Sequence, residues 1–449
     1  MRLVLSWKFA SACLSILALV SLSYVTGAVV MFYRLPSSGW LTNAFLGARV
    51  WNDRKEAQPP LSKVGTQATR TRAGSGKTFG GFTFYTCGGD EELGTQAFLI
   101  DTEHQLVHRW STRFSQIWPN PGNVDAWPSD SSVCFFASFL YPNGDLLVVC
   151  QGQNPVDFGL AKLDKDSNVL WTYAAPIHHD IDVAEDGTIY ALQHDFVYEM
   201  PRGLERIPVP CQVDFLIALS PDGKPLREPI PILTAFRDSS YRELLTPLES
   251  PVKQHQPPVG STAPPITHLP PGPDLLHTNC VRVLRRDVAD RFPDFKAGHV
   301  LVSVRNLNVL AMIDPEQGRI EWATRGPWLA QHDPQFLDNG HLLIFDNYGS
   351  PKGSRVLEYD PKTQAFPWSY SGPTVAGFFT SERGMNQRLA NGNTFIVNSE
   401  TGEMIEVTRD KEIVWSYSLD RFITTARRYS ADELPFLEVD NGTGKRPQS

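Results

Sequence analysis

Short apolar runs broken by tight polar turns fill the chain from about residue 80 to 430. Asn143-Gly144 leads into Asp-Leu-Leu-Val-Val, Asp186-Gly187 into Thr-Ile-Tyr-Ala-Leu, Asn339-Gly340 into His-Leu-Leu-Ile-Phe, and Asn391-Gly392 into Asn-Thr-Phe-Ile-Val. Such Asn-Gly and Asp-Gly pairs predict two-residue type I′ hairpins, because that turn needs the positive φ that Gly and Asn tolerate. A second phrase alternates with the first: an apolar pair, Asp, a polar turn and a strand ending in Trp. It runs from Leu99 to Trp110, Leu163 to Trp171, Met312 to Trp322 and Glu358 to Trp368, more loosely from Glu406 to Trp415, and without Trp from Ala218 to Gly223. These are six outer hairpins, and Trp322, Trp368 and Trp415 recur at 46 and 47 residues. Short strands repeating at that period, rich in β-branched and aromatic residues, predict an all-β fold, a six-bladed β-propeller at residues 76–430. The Trp residues read as packing between blades.

The flanks differ. Phe9 to Tyr33 is an uncharged, mostly apolar run of 25 residues, with Arg2 and Lys8 on its amino side. It is long enough to span a hydrocarbon core of ~30 Å, so residues 1–34 are expected to form a transmembrane signal anchor, with the body on the exported, periplasmic side. Cleavage near Ala28 is the competing reading. Residues 35–75 read as a flexible stem and 431–449 as a tail. The Pro-rich stretch 237–274 reads as an insertion, since such proline density cannot form sheet interior. A formal charge of −8 without basic runs argues against nucleic acid as a partner. Five cysteines outside the membrane run lack any Cys-x-x-Cys pair, so no metal site is expected, and one disulfide near the first blade is.

Candidate chemistry lies in the repeat itself. His179-Asp180 stands eight residues before Gly187, and His332-Asp333 eight before Gly340. Matching histidines at matching strand starts meet at one mouth of a propeller, and His277-Thr278-Asn279 delivers a third. His178, beside His179, shares the candidacy. Asp180 and Asp333 are expected to bond in turns or between blades rather than to their own histidines, because adjacent strand residues face opposite ways. Trp328, Tyr348 and Phe378 fall in loops near that mouth and are candidates to line an aryl pocket. His104, His108, His194, His299 and His341 read as structural.

These phrases carry a resemblance. Gly81-Phe-Thr-Phe-Tyr85, the His178-His179-Asp180 block, His277-Thr-Asn279, Ser303-Val-Arg305-Asn306, Gln331-His332-Asp333-Pro334, Phe345-Asp-Asn347, Asn391-Gly-Asn-Thr394 and Ala426-Arg-Arg-Tyr429 resemble the bacterial arylsulfate sulfotransferase family. The resemblance implies a six-bladed propeller that moves a sulfuryl group from a phenolic sulfate ester to a phenol. It implies a ping-pong route through a sulfohistidine, without a nucleotide sulfate donor. By motif it implies His332 as nucleophile and His179, His277, Asn279 and Arg305 as sulfate contacts, in a divergent, membrane-anchored member of the family.

The residue types suit such chemistry by themselves. A neutral imidazole is a competent nucleophile at neutral pH, Arg offers a permanent forked cation, and Asn and His add directed donors. No acidic loop or adjacent-Cys signature points to a calcium or quinone cofactor, so none is expected. The expected partners are a small aryl sulfate donor and a phenolic acceptor. A non-catalytic, membrane-tethered binding or scaffold module and an aryl sulfate hydrolase are the alternatives.

Overall fold

In the computed structural model the described residues are 70–72, 76–90, 94–119, 130, 133–152, 157–246, 274–350, 353–372 and 378–437. They form six antiparallel sheets, as the repeats predict. After a short strand β1 (Arg70–Arg72), the first blade holds β2 (Phe82–Asp90), β3 (Gly94–Asp101) and β4 (Leu106–Thr112). The second holds β5 (Val133–Leu140), β6 (Leu146–Gly152), β7 (Asp157–Leu163) and β8 (Val169–Ala174). The third holds β9 (Ile177–Val183), β10 (Ile189–Val197), β11 (Cys211–Leu219) and the two-residue β12 (Ile230–Pro231). The fourth holds β13 (Thr278–Val283), β14 (Val300–Val304), β15 (Val309–Asp314) and β16 (Arg319–Arg325). The fifth holds β17 (His332–Phe336), β18 (Leu342–Ser350), β19 (Gly353–Tyr359) and β20 (Trp368–Tyr370). The sixth holds β21 (Met385–Arg388), β22 (Thr394–Asn398), β23 (Glu403–Val407) and β24 (Ile413–Ser418).

Two exchanges close the circle. The last strand, β25 (Ile423–Tyr429), pairs with β2 and completes the first blade from inside, while β1 pairs with β24 and widens the sixth. The strands β25, β5, β9, β13, β17 and β21 each touch the next around the axis, so they form the channel wall. Six apolar clusters fill the gaps, one between each pair of neighbouring blades. The repeated Trp residues clamp those gaps as the sequence predicts. The indole N–H of Trp110 donates to Gly144 O, Trp171 to Pro221 O, Trp368 to Arg409 O and Trp415 to Thr102 O, each on the following blade.

The hairpin turns differ from the expected type. Gly144, Gly187, Gly340 and Gly392 have φ of 83–86°, but the Asn or Asp before each does not enter the positive region. Gly187 N bonds Ala184 O while Ala184 N bonds Thr188 O. These are three-residue loops in which only the glycine needs the left-handed conformation.

Other expectations fare variously. The five cysteines Cys87, Cys134, Cys150, Cys211 and Cys280 are all free, so the expected disulfide is not formed. Residues 237–246, assigned to the Pro-rich insertion, are ordered: a helix, α1 (Ile232–Arg237), and a 3₁₀ turn (Arg242–Leu245) pack against the third blade, and 247–273 lie outside the described residues. Phe9–Tyr33 also lies outside them, and no helix among the described residues is long and apolar enough to cross a membrane.

Candidate active site

Five of the six inner strands share one irregularity. Pairing skips Thr424 on β25, Phe136 on β5, His179-Asp180 on β9, Asn279 on β13 and Asp333-Pro334 on β17. Bulges of this kind re-aim side chains at the rim of a sheet. Five non-glycine residues here have positive φ: His179 (58°), His277 (47°), Ala330 (53°), Asp333 (48°) and Arg383 (60°). Backbone strain of this type costs about 1–3 kcal/mol per residue and persists where the surroundings impose it. Its concentration at one end of the channel marks the site.

A cavity of about 310 Å³ runs along the axis, and His179, Asn279, His332 and Arg383 stand in its wall. His332 is 6% exposed, and its Nδ1 lies 3.0 Å from Ala330 O and 2.7 Å from Asn347 Oδ1. Both partners accept, because Asn347 uses its Nδ2 to donate to the carbonyls of Thr380 and Arg383. Nδ1 therefore carries the proton and Nε2 keeps its lone pair. Burial, then the Arg305 guanidinium, holds the pKa of His332 down to about 3, so the ring is neutral at physiological pH.

The other predicted residues gather around it. His179 stacks edge-on to His277, ring centroids 4.7 Å apart, and burial followed by its histidine neighbours pulls its pKa well below the ordinary value. His178 lies behind it, 2% exposed, with its Nδ1 2.7 Å from His179 Nδ1, so it supports the site rather than facing the cavity. Asn279 donates from Nδ2 to Gln331 O, and its Oδ1 has no partner among the described residues. Gln331 in turn donates to Ser303, Val304 and Val309, pinning the start of β17 to the fourth blade. Arg305 is 8% exposed, and among the described residues its guanidinium bonds Asn306 Oδ1, at 3.1 Å. Burial lowers its pKa, with Tyr348, Glu382 and Asp274 opposing.

Asp180 and Asp333 bond between blades, as expected. Arg282 bridges their carboxylates and Arg427 adds a second contact to Asp333, so these charges neutralise one another below the histidines. Tyr348 is half-buried, and its ring packs 5.5 Å from that of Phe379. Two pocket candidates lie elsewhere. Trp328 is fully buried against Tyr359 between the fourth and fifth blades, and Phe378 packs on Phe345 and Tyr370 between the fifth and sixth. Both are core side chains, because their loops turn inward to fill the gap beneath.

Four site residues escaped the sequence. Asp274 holds His277 twice, through Nδ1 at 2.5 Å and the backbone N–H at 2.8 Å, but it closes the segment read as a Pro-rich insertion. Asn347 stood in a motif without a role. Phe136, whose ring meets His179 at 5.8 Å, stands eight residues before Gly144, the one signal in the sequence that could have found it. Arg383 precedes Gly384, itself eight residues before Gly392. No group of His, Cys, Asp or Glu among the described residues is arranged to hold a metal ion.

Residues 271–420 match the arylsulfotransferase (ASST) family model. Over this segment, a third of the chain, the sequence is similar to the arylsulfotransferase family. The match takes in His277, Asn279, Arg305 and His332, and His179 lies before it. No curated protein matches. Among solved structures, a protein of unknown function from Bacteroides caccae is 12% identical over 77% of this chain and 98% of its own, with a TM-score of 0.45. A streptogramin B lyase is 12% identical over 78% of this chain and 95% of its own, with a TM-score of 0.41. Virginiamycin B lyase from Staphylococcus aureus is 9% identical over 62% of this chain and 68% of its own, at 0.35.

Proposed function

We propose that the protein is an aryl-sulfate sulfotransferase that works by a ping-pong route through a sulfohistidine at His332, without a nucleotide sulfate donor. The observation that carries this reading is the fixed tautomer of a neutral His332 beside the buried guanidinium of Arg305. In the first half-reaction the Nε2 lone pair forms a bond to sulfur, and the sulfur–oxygen bond to the aryl group breaks with its electron pair leaving as phenolate. His277, oriented by Asp274, gives that phenolate its proton. Arg305 and Asn279 face the charge spread over the three sulfuryl oxygens, as donors do in phosphoryl transfer. In the second half-reaction His277 takes the acceptor phenol's proton, the phenol oxygen bonds sulfur, and the nitrogen–sulfur bond breaks to restore the Nε2 lone pair.

The donor is a small aryl sulfate ester and the acceptor a small phenol, with Tyr348 beside Arg305 to face the ring. Phe9–Tyr33 tethers the propeller to a membrane on the exported side; the apolar run supports this, and retention in membranes after a high-salt wash tests it. The test of function is release of a chromogenic phenol from its sulfate ester with and without an acceptor phenol. Acceptor-dependent release together with a sulfated acceptor supports transfer. Release at the same rate without acceptor supports hydrolysis, and no release rejects both.

A further inference from the structure

Arg305 is not the one cation at this site. Arg383 ends the loop that enters β21, at the point where the third and fifth blades present His179 and His332, and it walls the same cavity as both. Its φ of 60° is strained for a side chain, so the surrounding structure holds it there. Four contacts do so, the first from its Nη1 to His179 O at 3.4 Å. Asn347 Nδ2 donates to its carbonyl, its Nη2 donates to Phe136 O at 2.6 Å, and its guanidinium lies 3.9 Å from the Phe136 ring centroid. The same Asn347 fixes the His332 tautomer, so one amide sets the nucleophile and this arginine together.

What Arg383 lacks is an anion. Arg282, Arg285 and Arg427, lower in the channel, each meet a carboxylate at 2.5–2.8 Å. Arg383 makes no ion pair among the described residues, and its buried Nε has no hydrogen-bond partner there. A purely structural arginine would close that donor, since a buried unpaired N–H costs about 1–3 kcal/mol. Its charge is nonetheless felt at the chemistry, because it helps to disfavour protonation of both His179 and His332. Arg305, at 8% exposure the more buried of the two, likewise makes no ion pair among the described residues.

We infer that Arg383 is a second anion-binding guanidinium that contacts the sulfuryl oxygens, together with Arg305. The inference rests on the sulfuryl-transfer reading. Two cations around one neutral nucleophile favour a tetrahedral oxyanion and hold its equatorial oxygens from two sides, while the paired Asp180 and Asp333 below add no net repulsion.

The test is direct binding of inorganic sulfate by calorimetry, run with aryl sulfate turnover on the parent, Arg383→Gln, Arg383→Lys and Arg383→Ala. Arg383→Gln is expected to weaken sulfate binding at least ~10-fold and to lower kcat/KM by ~10²-fold. Arg383→Lys, which keeps the charge without the fork, should fall between. Guanidinium added to Arg383→Ala should restore part of kcat, a response that lost packing alone does not give. Sulfate affinity and kcat/KM within twofold of the parent in both Arg383→Gln and Arg383→Lys overturn the inference; if Arg383→Gln does not fold, Arg383→Lys decides alone. A parent that turns over aryl sulfate but does not bind sulfate also overturns it. A parent that does neither removes the sulfuryl reading and this inference with it.

Discussion

Arg305→Met separates a functional cation from a structural one, because the two predict opposite changes in stability. Arg305 is 8% exposed, bonds one neutral amide oxygen and makes no ion pair among the described residues. Taking an ion out of water without a counter-ion costs several kcal/mol even after relaxation. Methionine keeps the length and removes the charge. The ligand-free protein is therefore expected to gain about 1–3 kcal/mol. Unfolding entropy of about 2.1 cal/mol/K per residue over roughly 350 propeller residues gives about 0.7 kcal/mol/K, so Tm should rise by about 1–4 °C. Inorganic sulfate at ~100 times its Kd should stabilise the parent by about 2.7 kcal/mol, close to 4 °C, and the variant far less. Turnover should fall by ~10²–10³. Thermal melts with and without sulfate, beside an aryl sulfate assay, read all three effects. A variant that melts several degrees lower and keeps its rate refutes the reasoning and makes Arg305 a packing residue.

Asp274→Asn leaves His277 in place but removes its anionic partner, so kcat should fall about 10²-fold for phenols of high pKa and little for nitrophenols that leave unaided; an equal loss across leaving groups speaks against proton transfer by His277. His178 and His194 titrate at about 4 and His332 at about 3, with His179 lowered too, so folding excludes protons that the unfolded chain takes up near 6.5. Their stabilising share is complete above pH ~6.5 and is lost below it at up to ~1.4 kcal/mol per pH unit each, down to the folded pKa. Asp214, raised to about 6 chiefly by burial, offsets roughly one histidine's share of that loss. Tm should thus fall from pH 6.5 to 4.5, and His178→Phe should flatten the slope; a flat parent curve contradicts the burial argument. Glu406→Gln strands Arg428, with which Glu406 forms a fully buried pair at 3.2 Å where the first and sixth blades meet, and should cost about 3–5 kcal/mol by chemical denaturation. A change under 1 kcal/mol would mean the pair adds nothing to ring closure.

Much of the propeller was legible because its information is local and repeated. Each Asn-Gly or Asp-Gly turn and each terminal Trp states one hairpin, and the period joins them. The candidate histidines were legible for the same reason: a residue fixed relative to a turn glycine is fixed relative to the axis. What was not legible depends on side-chain direction and on contacts across the ring. Trp328 and Phe378 sit in loops by sequence, yet turn into the gaps between blades. Asn347 and Asp274 act through the residues they hold, among them histidines 15 and 3 residues away. Arg383 stands one place off the repeat position, and nothing in its neighbours shows that the fold denies it a carboxylate. The two histidines side by side at 178 and 179 are separated in role by the bulge on β9, a feature of pairing that no spacing encodes.

The central claim is that His332 Nε2 carries the sulfuryl group. Rapid quenching at alkaline pH after mixing the protein with an aryl sulfate in the absence of acceptor, followed by mass analysis of the peptide carrying residue 332, tests it most directly. The account predicts a sulfuryl adduct of about 80 Da on His332 that disappears when a phenol is added and is absent from a folded His332→Ala variant, which also lacks transfer. An unmodified His332 peptide during acceptor-dependent turnover, or parent-like rates in His332→Ala, contradicts it.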